Sequence, residues 1–278
     1  MPTCHVRRRP YCLVTAPVVR PVCLAGVTGV FPGSVTWPSI PRTASMVVMA
    51  FEDVRLPDVT GMSVGILGGT GPQGRGLGYR LARAGHRIVI GSRDADKAAA
   101  TARELAALPR VESASVEGAD NRTACDTDIV IVAVPWTGHE RLLTELTDAL
   151  ADRVVVDCVN PLGFDERGPY ALTVPDGSAA QQAARLLPGS RVTAAFHHVS
   201  AVLLADPEVD LIATDVLVLG DDREATGIVQ ALATGVDGMR GVFGGRLRNA
   251  GQVEALTANL IAVNRRYKTH SGLRVTGV

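Results

Sequence analysis

Ser63-Val64-Gly65-Ile66-Leu67-Gly68-Gly69-Thr70-Gly71-Pro72-Gln73-Gly74 is the stretch from which the fold can be read. Residues 63–67 make a short apolar run of strand type. Gly69-Thr70-Gly71-Pro72-Gln73-Gly74, preceded by Gly68, fits the pattern G-x-G-x-x-G. Gln73–Ala84 then places Leu77, Leu81 and Ala84 at helical spacing. Strand, glycine turn and helix in that order let backbone N–H groups approach a pyrophosphate lying on the helix N-terminus. Without the flanking elements, the same pattern would describe a glycine-rich turn with no ligand.

The elements that follow repeat the alternation. Arg87–Ile90 reads as a second strand, Asp94–Leu108 as an Ala-rich helix and Asp128–Val134 as a strongly apolar strand. Thr137–Leu150 alternates Leu and charge at helical period, and Val154–Asp157 is another strand. Strands alternating with helices of about 10–15 residues predict βαβ units and a parallel sheet. The expected fold is α/β: a Rossmann-like doubly wound parallel sheet over 62–193, with a smaller C-terminal α/β domain over 194–278. Residues 1–61 are expected to be a disordered or spurious extension, because 1–50 mix Pro, Arg, Cys, Val and Gly without periodicity. Met46, Met49 and Met62 are then candidate starts. A signal segment is opposed by Arg20, Pro17, Pro21 and Pro32, which interrupt or bound the apolar run.

The 28 basic and 28 acidic residues cancel, but unevenly. Arg7, Arg8, Arg9, Arg20 and Arg42 lie in the first 50 residues, which hold no Asp or Glu, so the rest carries 23 basic against 28 acidic groups. A mildly acidic body argues against nucleic acid as a partner. Cys4, Cys12 and Cys23 fall in the head, and Cys125 and Cys158 lie far apart. With no CxxC and no ligand-like cluster, neither a disulfide framework nor a metal site is expected, and the chain reads as cytoplasmic. No apolar run reaches the roughly 18 residues of a membrane span, which sets aside a membrane metalloreductase.

About twenty positions beyond the glycine turn, an NAD enzyme places an acid to bind the ribose 2′-hydroxyl. Here the sequence is Gly91-Ser92-Arg93, with Lys97 one turn into the next helix. A hydroxyl and two cations suit the 2′-phosphate of NADP, since Arg binds phosphate through a charge-assisted fork. Asp94 and Asp96 would repel that phosphate if they faced it, so they are expected to cap the helix. Val134-Pro135-Trp136 and Cys158-Val159-Asn160-Pro161 follow strands at the carboxyl edge of the sheet, where ligands bind in such folds, and should flank the nicotinamide half.

These motifs resemble the NADPH-dependent reductases of the deazaflavin coenzyme F-420. The resemblance is carried by Gly65–Gly71, Gly91-Ser92-Arg93, Val134-Pro135-Trp136, Ala194–Ala201 and Leu247–Thr257. It covers 62–278 and implies hydride transfer between NADP(H) and coenzyme F-420. By resemblance, Gly69, Thr70, Gly71, Pro72, Gln73 and Gly74 hold the pyrophosphate, and Ser92, Arg93 and Lys97 the 2′-phosphate. Val134, Asn160 and Ala201 would line the cofactor further along, and His197 and Val199 would meet the deazaflavin ring. No catalytic acid or base is implied. The family's His-x-Ile-Pro-Ala is here His197-His198-Val199-Ser200-Ala201, without the rigid proline.

Read without the family, His197-His198 after the strand Arg191–Phe196 is either a structural pair or part of a site. From Arg240 to Val278 there are seven basic residues and one acid, Glu254. Asn249 and Gln252 suggest a capped helix with Val253, Leu256, Leu260 and Ile261 on one face. Its cations suit either the helix dipole or an anionic ligand tail, and the apolar face of Val253–Val263 could form a homodimer. Two other functions remain open: an imine or carbonyl reductase, with only His197, His198 or Tyr170 as proton donor, and a non-enzymatic NADPH sensor.

Overall fold

The structure, a computed structural model, describes residues 55–111 and 116–278. The expectation for the head therefore lies outside the described residues except at 55–61. There the chain is already packed: Val59 lies against the core, and its carbonyl accepts from the Met62 N–H at 3.1 Å.

The element order is β1 (Ser63–Leu67), α1 (Pro72–Arg83), β2 (Arg87–Ser92), α2 (Ala95–Ala106), β3 (Val116–Asp120), α3 (Asn121–Ala124), β4 (Ile129–Val132), α4 (Trp136–Glu145) and β5 (Val154–Asp157). A hairpin of β6 (Leu162–Asp165) and β7 (Gly168–Ala171) follows, then α5 (Ala179–Leu186), β8 (Arg191–Ala194) and α6 (Ala201–Ala205). The chain continues through β9 (Thr214–Gly220), α7 (Arg223–Thr234), β10 (Met239–Gly245), a 3₁₀ turn at Leu247–Asn249 and α8 (Ala250–Tyr267). The main sheet has the order β3-β2-β1-β4-β5-β8-β9-β10. Every pair in it is parallel except β8 with β9.

The expected α/β class and parallel sheet hold, because the strands are apolar on both faces. Alternate residues face opposite sides. Val64, Ile66, Ile129, Ile131, Val154 and Val156 join the core under α1, α2 and α7, and Leu67, Val130, Val132 and Val155 join the one under α4 and α5. Residues 55–278 fall within one compact unit, and the anticipated division at 193/194 falls inside β8. Asp94 caps α2 as expected, its Oδ1 accepting from the Lys97 N–H at 3.0 Å. Asn249 does not cap α8. The 3₁₀ turn ahead of the helix has already taken its backbone N–H onto the Arg246 carbonyl, and its side chain makes no capping bond. Among the described residues no helix is long and apolar enough to cross a membrane.

Candidate functional site

The glycine turn joins β1 to α1 at the carboxyl edge of the sheet. Gly68 has φ of 72°, and a Cβ there would lie 2.6 Å from Val134 Cγ1, so Val134 sits directly over the turn. A Cβ on Gly74 would lie 2.7 Å from the Gly69 Cα, which makes this glycine a packing requirement. Gly71 is different. Its φ of −78° suits any residue, and nothing in the fold comes closer than 3.4 Å to a Cβ built there. The space it leaves is open to a ligand. Pro72 opens α1, and no side chain caps the helix, as none caps α4, α6 or α8, whereas α2, α3, α5 and α7 are capped by Asp94, Asp120, Ser178 and Asp222. A positive helix end with open backbone donors suits a pyrophosphate.

At the end of β2, Ser92 is buried and its Oγ accepts from the Asp94 N–H at 3.2 Å, leaving its hydroxyl proton available. Arg93 and Lys97 are exposed, and neither side chain is engaged by a described residue. The Asp94 carboxylate, turned onto α2, leaves these cations unopposed.

Gln73, Asn160, His197, Val199 and Ala201 come together on a cleft of about 530 Å³, whose far wall is α8 and the tail after it. Thr257, Leu260, Ile261, Asn264, Arg265, Lys268 and His270 form that wall. The loop between β8 and α6 is held tightly. Phe196 is fully buried with φ of 64°, a conformation unfavourable for a bulky residue. Its carbonyl accepts from Gln73 Nε2 at 3.2 Å. The His197 carbonyl accepts from Asn160 Nδ2 at 2.8 Å and Thr257 Oγ1 at 3.1 Å. His197 is 3% exposed, and neither ring nitrogen has a partner. Burial pushes its pKa down to about 4, so the imidazole is neutral at neutral pH. His198 also borders the cleft, and its ring is held to the Asp215 carbonyl through Nε2 at 2.7 Å. Tyr170 lies on β7, outside the cleft lining.

The seven basic residues of the C-terminal part divide by position. Arg240 and Arg274 grip the buried carboxylate of Asp215 at 2.7 and 2.8 Å, and Arg246 pairs with Asp221. The Arg240 fork is the largest of several influences that hold Asp215 well below the usual carboxylate range. Of the seven, Arg265 and Lys268 line the cleft.

Beneath the cleft lies a cluster that the sequence did not reveal. His139 on α4 contacts Gln182 Oε1 through Nδ1 at 2.8 Å and Asp157 Oδ2 through Nε2 at 2.6 Å, with His139 and Asp157 fully buried. Burial alone would lower the His139 pKa, but the Asp157 carboxylate, with Gln182 and Glu254, outweighs it, and the net shift is upward. Asp157 Oδ1 also accepts from the Val159 N–H, fixing the turn that presents Asn160. Glu254 completes the group from α8. The partners lie 18 to 115 positions apart on four elements, and the one sequence signal was a carboxylate ending the apolar run Val154–Val156.

A family model described as NADP oxidoreductase coenzyme F420-dependent matches residues 63–161. An F420-dependent NADP reductase of Methanothermobacter thermautotrophicus is 36% identical over 223 residues, spanning 78% of this chain and 96% of the relative. One from Methanocaldococcus jannaschii is 35% identical over 224 residues, 78% of this chain and 99% of that one. Among solved structures, a protein from Arthrobacter sp. FB24 described as an F420-dependent NADP-reductase aligns with a TM-score of 0.65 at 26% identity. That alignment covers 78% of this chain and 100% of the other.

Proposed function

The chain belongs to the family of F420-dependent NADP reductases, and from that premise we propose how its own residues serve the reaction. The protein is an oxidoreductase that passes a hydride between NADP(H) and the deazaflavin coenzyme F-420. In the proposed site, the backbone of Gly69, Thr70, Gly71, Pro72, Gln73 and Gly74 binds the pyrophosphate. The observation that carries this is the room at Gly71 in front of an uncapped helix end. Ser92, Arg93 and Lys97 bind the 2′-phosphate, and Val134, Asn160 and Ala201 line the path to the cleft. His197 and Val199 form the inner wall against the deazaflavin.

NADPH supplies the hydride and the oxidised deazaflavin takes it, or the reverse. Such a transfer needs two rings at close approach with water excluded, not an acid–base triad. His197 fits that demand: buried and neutral, it shapes the inner wall rather than titrates. Asn160 and Thr257 fix its main chain, and Gln73 fixes that of Phe196. Arg265 and Lys268 at the cleft supply positive charge towards an anionic tail.

The reading extends to a cytoplasmic location and no nucleic-acid partner. Of the apolar face Val253–Val263 considered for a homodimer, Val253 is buried in the core and Leu260 and Ile261 line the cleft, which leaves Val263 exposed for such a contact.

Filling the cleft tests the assignment. Ile261→Trp puts an indole where the deazaflavin would lie, on the α8 wall rather than on the glycine turn. Binding titrations should show deazaflavin affinity lost and NADPH affinity retained. Unchanged deazaflavin binding would place its site elsewhere.

A further inference from the structure

Helix α8 is 18 residues long, yet its buried residues are Ala250, Val253 and Glu254, all in the first two turns. The residues that line the cleft come one to three turns later. The helix is therefore anchored near its start and presents its working face further along. Two contacts make the anchor. Gly251 packs against the turn before α5 so closely that a Cβ there would lie 2.7 Å from the Gly177 carbonyl oxygen. Glu254, 2% exposed, accepts from the Ala179 N–H at 2.9 Å through Oε2 and the Ala180 N–H at 3.2 Å through Oε1. Ser178 Oγ takes the next N–H, that of Gln181, so the first turn of α5 is satisfied jointly by its own cap and by a side chain from α8.

We propose that Glu254 is a positioning residue whose carboxylate, seated on the amino end of α5, sets the pose of α8 and so the affinity of the cleft for the deazaflavin. This matters to the reaction only if the cleft holds the deazaflavin, as proposed above. The ionised carboxylate offers an acceptor to each amide and a negative charge to a positive helix end. A protonated carboxyl keeps one of those acceptors and loses the charge, and burial favours that neutral form more strongly than the two amides oppose it. The groups facing Glu254 are the Ala179 and Ala180 amides, Asp157 at the end of β5 and His139 on α4. Asp157 disfavours its ionisation and His139 favours it, while burial is the largest influence and pushes the pKa up to about 7. The two forms therefore exchange near neutrality. As pH rises through about 7 the carboxylate ionises against its burial, so the anchor weakens and KM for the deazaflavin should rise; below that KM should be low and flat.

The test is steady-state kinetics with the deazaflavin varied at saturating NADPH, from about pH 6 to about pH 8, on wild type and Glu254→Gln. Gln is the neutral isostere. About one pH unit above the Glu254 pKa, wild-type KM should exceed that of the variant by about tenfold, because burial then opposes a charge that only the glutamate carries. Below that pKa the two should converge. The variant-to-wild-type ratio cancels any titration of the ligand itself. NADPH affinity should not move. A ratio near one at every pH overturns the proposal, as does a variant that loses kcat and both affinities together, because that is loss of fold. Gly251→Ala keeps the titrating group but displaces the first turn of α8; it should raise KM at every pH with the wild-type profile preserved, and an unchanged KM overturns the proposal even if Glu254→Gln does not fold. Wild-type protein that binds no deazaflavin in the cleft would remove the assignment of the site and this role with it, whereas normal binding with a ratio of one removes the role alone.

Discussion

Arg93 stands at the end of β2 with its guanidinium unengaged by any described residue, which is how a residue awaiting an anionic ligand should look. Its neighbour Asp94 is occupied at the cap of α2. If Arg93 grips the 2′-phosphate, Arg93→Ala removes a charge-assisted bond that NADPH makes and NADH cannot. Such bonds contribute about 1.5–3 kcal/mol, and about 1.4 kcal/mol is tenfold. NADPH affinity should fall about ten- to a hundredfold, towards the lower end because Ser92 and Lys97 remain. NADH affinity should barely change. Paired binding titrations decide: an equal loss for both cofactors would mean Arg93 serves the fold or the shared pyrophosphate. Residues of this kind are legible in sequence because their partner is outside the protein and their spacing is fixed by local structure. His139, Asp157 and Glu254 are not, because what defines each is a neighbour brought from another element by the fold.

At the scale of elements, α1 does more than face the pyrophosphate. Arg80 lies on it, 2% exposed, and donates to the carbonyls of Leu203, Leu204, Asp206 and Val209 at 2.7 to 2.9 Å. A buried cation thus closes the carboxyl end of α6, the helix whose amino end carries Ser200 and Ala201 at the cleft. Burial lowers the Arg80 pKa but leaves it a cation. Arg80→Met would leave four carbonyls without their donor, and an acceptor left unsatisfied costs about 1–3 kcal/mol. That is a large share of the roughly 5–15 kcal/mol by which a domain is stable. Chemical denaturation should show such a loss; a change below about 1 kcal/mol would mean that water replaces the arginine. The sequence located α1 and α2 within one or two residues because periodicity and end signals coincide there. It did not locate β3, α3, the β6–β7 hairpin, α5, β9, α7 or β10. In β3, Val116-Glu117-Gly118-Ala119-Asp120 is an edge strand with no run of apolar residues. The hairpin lies outside the main sheet, with Phe164 and Tyr170 exposed where a core pattern would bury them.

For the whole molecule, the sheet accounts for the layout of the site. Strands β1, β2, β4 and β5 all end at one edge, and each releases a loop: the glycine turn, the basic hook, the Val134 loop and the Asn160 loop. Strand β8 adds the His197 loop at the same edge. Past β8 the direction reverses at β9, and the chain returns through α7 and β10 to lay α8 along the far side of the cleft. The first half was readable because it is local and repetitive; the second wall was not, because α8 meets Asn160 and His197 only across about a hundred or fewer residues of intervening chain. The claim that joins both walls is hydride exchange between a phosphate-selected nicotinamide and a deazaflavin. Its most direct test mixes purified protein with oxidised deazaflavin and either NADPH or NADH, and follows the deazaflavin's visible absorbance. Bleaching with NADPH at a rate far above that with NADH is the expected result. No bleaching with NADPH, under conditions where the deazaflavin is reduced by a control enzyme, would contradict it.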